Sequence, residues 1–404
     1  MKAILPVAGN GTRMYPLGVS TPKCLIPILN KPLVLWSLEA LQKNGITEVV
    51  LVISAGVFGK KIQEYIEGLH LQNFKIDFAV QEQQLGTAHV VQMAKDFFTK
   101  GEQFIFMYGD DLYGPQNIAE ILKVPGLAVT GMKVKDPEKW GIFQTDADGN
   151  LAHVVEKPKE FVGDLANIGC VKLDTRVFEL FDQIKISPRG EYELTDTLQL
   201  LAGQEKIKVL STSDYWIPIG YPWHILEATE YFLPKIEAKI DGTVEPNVTI
   251  NGKVILPKNS IIKAGSYIEG NVIIGENTTI GPSAHIRGNT TIGNDCFIGF
   301  AVEVKNSVIG NGTRISHVNY VGDSIFGENI NFPAGCNTAN WRHDGKPIET
   351  PVKNVMTSTG REKFGAVIGD NVRLGVDTQI YPGRKIWPNK ITRPGEIVDK
   401  DIVG

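Results

Sequence analysis

Ala8-Gly9-Asn10-Gly11-Thr12-Arg13 follows a short apolar run at the start of the chain, and Pro16-Leu17, Thr21-Pro22-Lys23-Cys24-Leu25-Ile26-Pro27 and Lys31-Pro32-Leu33 come after it. Glycines let a backbone approach phosphate closely, and the N–H groups they leave exposed bind anionic oxygen. Taken singly, such a loop occurs in many folds, and Arg13 or Lys23 is an ordinary surface charge; together they suit a phosphorylated ligand. Further on, Phe104-Ile105-Phe106-Met107-Tyr108-Gly109-Asp110 is an apolar run closed by a carboxylate. A hard cation needs oxygen ligands and bridges protein carboxylates to substrate phosphates. Asp111 is the weaker candidate, because adjacent strand positions point opposite ways. In the second half, His317 stands among small and aliphatic residues. Histidine suits general-base work because its unperturbed pKa lies near operating pH; a lone histidine in such a stretch is more often structural.

The elements that must position these residues fall into two patterns. Up to about residue 235, short apolar runs at 3–8, 48–54, 104–108, 126–132 and 166–173 alternate with amphipathic stretches such as 33–44 and 58–68. That alternation predicts an α/β domain of Rossmann-like form with a mostly parallel sheet, whose ligands gather at the carboxyl ends of the strands. Residues 222–240 read as a linking helix, bent near Pro234. From 241 onward the pattern changes. Ile250, Leu256, Ile262, Ile268, Ile274, Ile280, Ile286, Ile292, Ile298 and Val304 recur every six residues. Ile309, Ile315 and Val321 continue after a one-residue slip, and Ile368, Leu374, Ile380 and Ile386 resume after an interruption. A six-residue aliphatic period marks a β-helix solenoid, each repeat supplying one side of a coil. Residues 340–364 break the period and read as a loop thrown out from the coil. The expected domains are therefore 1–235 and 241–404.

Composition narrows the function classes. The chain has 404 residues, 42% hydrophobic and 21% charged, with 41 Lys plus Arg against 45 Asp plus Glu. The formal net charge of −4 provides no basic field for general nucleic-acid binding, so a phosphate site must be a local pocket. Cys24, Cys170, Cys296 and Cys336 are widely spaced, which argues against a disulfide framework or zinc site and fits a reducing cytoplasm. The N-terminus reads as a buried first strand rather than a signal peptide, and no apolar stretch is long enough to span a bilayer.

The G-x-G-T-R loop followed by P-K and K-P resembles the sugar-1-phosphate nucleotidylyltransferase superfamily. By that resemblance Arg13 and Lys23 hold a triphosphate and polarise its α-phosphorus, with Ala8, Gly9 and Gly11 forming the nucleotide loop. Gln81-Glu82-Gln83-Gln84-Leu85-Gly86-Thr87-Ala88-His89 is similar to the run of the uridylyl members, which places Gln81, Gly86 and Thr87 at the base; His89 reads as a helix residue. Asp110 matches the magnesium ligand. Glu156-Lys157-Pro158 matches the family's E-K-P, so Glu156 meets sugar hydroxyls and Lys157 the sugar phosphate, while Gly141 and Asn167 are the corresponding sugar contacts. Arg189 to Asp196 resembles the family too, with a helix start held by salt bridges as an equal reading. The family's W-x-D-x-G segment, whose Asp is its second metal ligand, is here Trp216-Ile217-Pro218-Ile219-Gly220. Proline offers no side-chain ligand, and Asp214 is at the wrong spacing.

The solenoid residues are similar in order and spacing to the acetyltransferase half of the bifunctional UDP-N-acetylglucosamine pyrophosphorylase/glucosamine-1-phosphate acetyltransferase family, in its archaeal-type branch, and the resemblance covers nearly the whole chain. It implies a left-handed parallel β-helix of hexapeptide repeats and a homotrimer. It makes His317 the general base, Glu303 the residue orienting it, Arg287 and Lys305 the sugar-phosphate clamp, and Tyr320, Asn331 and Asn340 the sugar and acetyl contacts. Trp341 stands where bacterial members usually have Tyr. The implied substrates are UTP or dTTP, a sugar-1-phosphate and acetyl-CoA, with Mg²⁺ and without nucleic acid or membrane. Two other readings stay open at this point: a nucleotidylyltransferase whose β-helix is only a scaffold, and a nucleotide-sugar-binding regulator without turnover.

Overall fold

The computed structural model describes residues 1–403. The chain divides into two compact units, one made of Met1–Asn10 and Leu33–Pro218, the other of Gly11–Pro32 and everything from Ile219 onward.

The first unit is built on a nine-stranded mixed sheet. Its main order is Leu151–Glu156, Gly141–Thr145, Leu165–Asp174, Gln103–Phe106, Lys2–Pro6, Glu48–Ser54 and Lys75–Gln81, with Leu127–Lys133 on Leu165–Asp174 and Ile207–Ser211 beyond it. Strands Gln103–Phe106, Lys2–Pro6, Glu48–Ser54 and Lys75–Gln81 run parallel. Leu165–Asp174 is antiparallel to both of its main partners. The parallel strands read as continuous apolar runs because both faces are covered: Ala3, Ile4 and Leu5 are fully buried, and five successive residues of Glu48–Ser54 are buried. Their common direction brings the loops after Pro6, Ser54, Gln81 and Phe106 to one edge of the sheet.

The second unit is a parallel β-helix, the left-handed form expected of hexapeptide repeats. Three six-residue sides make a coil, so Tyr267 lies under His285 and His285 under Glu303, eighteen residues apart at each step. The one-residue slip after Val304 shortens the next coil, and Phe297 pairs with Arg314 and Glu303 with Tyr320. The periodic residues Ile262, Ile268, Ile280, Ile286, Ile292, Ile298, Val304, Ile315 and Val321 form a dry inner column, all fully buried.

Two expectations are corrected. The helix after Gly220 covers Pro222–Phe232 and ends in a short turn, Leu233–Lys235; Pro234 lacks the N–H that would continue it, and 239–240 already pairs into the solenoid. The interruption at 340–364 is an ordered insertion rather than a thrown-out loop. It contains the antiparallel hairpin Glu349–Val352 and Val355–Ser358. Ile348 and Phe364 are buried, Phe364 lies edge-on to Trp223 at 6.2 Å, and Arg361 makes a bidentate pair with Glu230. Around the insertion the coil resumes in register, Asn337 bonding Gln379 across 42 residues.

Because the inner column has no room to collapse, truncating it costs both transfer and cavity energy. Ile298→Ala should lower the unfolding free energy by about 2–5 kcal/mol in urea denaturation; a loss under about 1 kcal/mol would contradict a close-packed column.

Candidate functional site

In the first unit, the nucleotide-loop residues Ala8 and Gly9 follow the first strand. Gln84 closes onto this loop, its Nε2 donating to the Ala8 carbonyl at 2.6 Å and to Asn10 Oδ1 at 2.9 Å. Asn10, Ser54, Ala55, Val57, Phe58, Gln81, Glu82 and Gln84 line a cavity of about 460 Å³. Gln81 is buried there, and its amide lies 2.9 Å from His89 Nδ1. His89 thus contacts the carboxamide, and burial depresses its pKa. Gly86 has φ 100°, and a Cβ there would meet the Tyr192 carbonyl oxygen at 2.6 Å. The Thr87 hydroxyl accepts from Leu194 N at 2.9 Å. Gly86 and Thr87 therefore dock the segment before helix Leu194–Ala202.

The sugar-motif residues converge. Gly141 pairs with Glu156 across antiparallel strands, and a Cβ on Gly141 would stand 2.9 Å from Glu156 Oε2 and 3.9 Å from Asn167 Cβ. Desolvation raises the Glu156 carboxyl pKa, against opposing Arg189 and Lys157. Lys157 follows in a left-handed conformation, φ 45°, its N–H bonded to Trp140 O at 2.9 Å. Asn167 Oδ1 accepts from Gly169 N at 2.8 Å. Arg189 bonds Glu193 at 2.8 Å and lies 3.5 Å from Glu156, so the helix-start segment also reaches the sugar motif.

Asp110 ends the apolar run in a half-buried turn. Asp111 is buried, and its Oδ2 accepts from Trp216 Nε1 at 3.1 Å. Pro218 lies opposite Asp111 in the pairing of Trp216–Pro218 with Asp111–Tyr113. Asp214 faces elsewhere, accepting from Gln116 N and Tyr215 N and so capping helix Pro115–Lys123. Among the described residues no group of three His, Cys, Asp or Glu side chains could hold a metal. These donors fit a cation held by one carboxylate, Asp110, with its other positions left to water and phosphate, as Mg²⁺ allows.

In the second unit, Gly11 (φ 57°) turns the chain so that a Cβ on it would approach Lys23 Cβ at 3.1 Å. The Arg13 guanidinium lies 5.1 Å from the Tyr221 ring centroid, and Gly220 lies beside it.

The solenoid brings five of the remaining candidates together. Arg287 and Lys305 are stacked partners on successive coils, as are Glu303 and Tyr320. Arg287, Lys305, Tyr320, Asn340, Trp341 and Lys363 line a cleft of about 410 Å³. Arg287 Nε donates to Glu303 Oε1 at 2.7 Å, which raises the guanidinium pKa. Asn340 Nδ2 donates to Tyr320 Oη at 3.1 Å. His317 and Asn331 sit on neighbouring strands of the other sheet of the coil, with His317 exposed. Among the described residues Glu303 is bonded to Arg287 and not to His317.

Sequence reading passed over Asp323. Its buried carboxylate accepts from Lys305 Nζ at 2.7 Å, Asn340 Nδ2 at 2.5 Å and Asn306 Nδ2 at 3.3 Å. Lys363, from the insertion, was equally hidden, since nothing local ties it to residues on distant coils.

Two family models match the chain. Residues 2–234 match the nucleotidyl transferase family model, and residues 268–394 match the GMPPB C-terminal domain. The whole chain is 38% identical to a bifunctional sugar-1-phosphate nucleotidylyltransferase/acetyltransferase of Sulfurisphaera tokodaii, covering 98% of that protein. It is 42% identical to the bifunctional protein GlmU of Methanococcus vannielii, covering 96% of it, and 44% identical to that of Methanococcus maripaludis, covering 95%; both matches also take in all of this chain. A solved Bacillus anthracis protein described as a putative glucose-1-phosphate thymidylyltransferase is similar in fold over 56% of the chain and 93% of its own length, at TM-score 0.51 and 24% identity.

Removing the carboxylate that joins Lys305 to Asn340 strands a largely buried ammonium. Asp323→Ala should cost about 3 kcal/mol of unfolding free energy, measured by denaturant titration, and Asp323→Asn, which keeps an acceptor, clearly less. Equal, sub-kilocalorie losses for both would show the pair to be a solvated surface contact.

Proposed function

Because this chain belongs to the family of bifunctional sugar-1-phosphate nucleotidylyltransferase/acetyltransferases, we propose that it catalyses two successive steps of nucleotide-sugar synthesis in the cytoplasm. One acetylates an amino-sugar-1-phosphate from acetyl-CoA; the other joins the N-acetylated sugar-1-phosphate to UTP or dTTP and releases pyrophosphate. The observation that carries the reading is the cleft in which Arg287, Lys305, Tyr320 and Asn340 meet. Two cations beside hydrogen-bonding groups form a phosphate-and-sugar clamp, which a plain scaffold does not need. Among the described residues no helix is long and apolar enough to cross a membrane.

For acetyl transfer, Arg287 and Lys305 bind the sugar phosphate, and Tyr320, Asn331 and Asn340 bind the sugar and acetyl groups. The free amine attacks the thioester carbonyl; its proton goes to His317, the C–S bond breaks, and the coenzyme leaves as a thiol after protonation. The amine must be neutral for its lone pair to attack, so a base of near-neutral pKa is the suitable acceptor. Glu303 holds Arg287 in the clamp and is the carboxylate proposed to orient His317. Since His317 and the clamp lie on different sides of the coil, a homotrimer that sets a second copy against the cleft is part of the proposal.

For nucleotidylyl transfer, Gln81, Gly86 and Thr87 receive the base, and Ala8, Gly9, Gly11, Arg13 and Lys23 the triphosphate. Gly141, Glu156, Lys157 and Asn167 present the sugar-1-phosphate. Its phosphate oxygen attacks the α-phosphorus in line and pyrophosphate leaves, so the side chains work by alignment and charge neutralisation. Mg²⁺ bound at Asp110 supplies further neutralisation of phosphate charge. Domains of 1–235 and 241–404 are the proposed units of the two activities.

The test supplies purified protein and Mg²⁺ with UTP or dTTP and N-acetylglucosamine-1-phosphate, following pyrophosphate, and separately with acetyl-CoA and glucosamine-1-phosphate, following thiol. Turnover is expected in both arms, with His317→Ala lowering thiol release by at least about 100-fold and leaving pyrophosphate release intact. Pyrophosphate without thiol would reduce the solenoid to a scaffold; thiol without pyrophosphate would mean that one carboxylate, with Pro218 opposite, does not sustain the first reaction.

A further inference from the structure

We propose that Asp370, on the solenoid, is a positioning residue for nucleotidylyl transfer: it holds the Ser20–Thr21 segment and thereby sets Lys23 for the triphosphate. The inference rests on the reading of Arg13 and Lys23 as triphosphate-binding residues.

Asp370 occupies a corner of the coil where a polar side chain recurs. On earlier coils Asn294 Oδ1 accepts from Glu276 N, and Asn311 Oδ1 from Asn294 N, each at 2.8 Å. Asp370 Oδ1 does the same for Glu328 N at 2.8 Å. That task needs one oxygen, and asparagine supplies it. Asp370 differs in having a second acceptor, and this oxygen takes the Ser20 hydroxyl at 2.5 Å and the Thr21 hydroxyl at 3.4 Å. The same corner holds the segment twice more. Ile292, Ile309, Phe326, Ile368 and Ile386 form one stacked column. Asn30 Nδ2 donates to the Ile292 carbonyl at 2.8 Å, and Tyr15 packs edge-on against Trp387, beside Ile386, at 6.5 Å.

The stretch from Tyr15 to Asn30 is thus fastened to one rigid edge of the solenoid, and Lys23 lies inside it, with Pro22 between it and Thr21. A loop ordered before its ligand arrives avoids the ordering cost at binding. The solenoid therefore serves the nucleotide as well as its own cleft, through a charge-assisted contact that the coil itself does not require.

Full-length Asp370→Asn retains the coil acceptor while losing the anionic oxygen; Ser20→Ala/Thr21→Val removes the donors from the other side; Ser20→Thr keeps a hydroxyl. The dissociation constants of Mg²⁺–UTP and Mg²⁺–dTTP are read by calorimetry, amide hydrogen exchange over residues 11–32 by mass spectrometry, and thiol release from acetyl-CoA as the control. Asp370→Asn and the double variant should each weaken nucleotide binding about tenfold and speed exchange across 11–32, with thiol release unchanged and Ser20→Thr close to the parent. Unchanged nucleotide binding in both variants overturns the inference, whether or not exchange rises. So does a parallel loss of thiol release, which would mean damage to the coil. Lys23→Ala separates the underlying reading: if it too leaves nucleotide binding unchanged, the loop is not the triphosphate site and the reading itself fails.

Discussion

Everything in the second unit depends on coils stacking in register around a dry aliphatic column. Each rung hydrogen-bonds only to its neighbours, so a residue's place on the surface is fixed by its distance along the chain modulo one coil. The inward positions must stay aliphatic and the outward ones are free to carry chemistry. Arg287 and Lys305, eighteen residues apart, become adjacent cations, and Tyr320 takes its place above Glu303 because one residue is dropped between those coils. The shortened coil also sets Asp323 against Lys305, the two joined by backbone and side-chain bonds at 2.8 and 2.7 Å.

The first unit reaches its site by a different route. Parallel strands buried on both faces deliver the loops after Pro6, Ser54, Gln81 and Phe106 to one edge, and small residues keep those loops close. Gly86 and Gly141 are cases where a Cβ would collide with the groups that must meet there. The carboxylates near the expected metal position are mostly committed: Asp111 to Trp216 and Asp214 to the start of helix Pro115–Lys123. Both carboxylates are engaged in holding the structure around Trp216 and the start of that helix, whereas Asp110 is the ligand proposed for the cation.

What was legible in the sequence was whatever has a short period or a contiguous motif. The six-residue repeat predicted the solenoid, and the buried strands at 48–54 and 166–173 stood out as apolar runs. The ordered insertion was not legible, because its order comes from contacts with residues far away, Phe364 with Trp223 and Arg361 with Glu230. The end of the helix at Phe232 was obscured because the apolar pattern continues past Pro234. Within the cleft, Arg287, Lys305, Tyr320 and Asn340 could be named from the family resemblance, whereas Asp323 and Lys363 required the stacking of coils to reveal what they face. The resemblance assigned Glu303 to His317, whereas in the fold its carboxylate bonds Arg287, its neighbour on the preceding coil.

The central claim is that the register of the coils builds a sugar-phosphate clamp from Arg287 and Lys305. A crystal structure determined with glucosamine-1-phosphate bound tests it most directly. The phosphate should lie within hydrogen-bonding distance of both Arg287 and Lys305, with the sugar toward Tyr320 and Asn340. A sugar phosphate bound elsewhere on the solenoid, with those two side chains still turned to Glu303 and Asp323 alone, would contradict it.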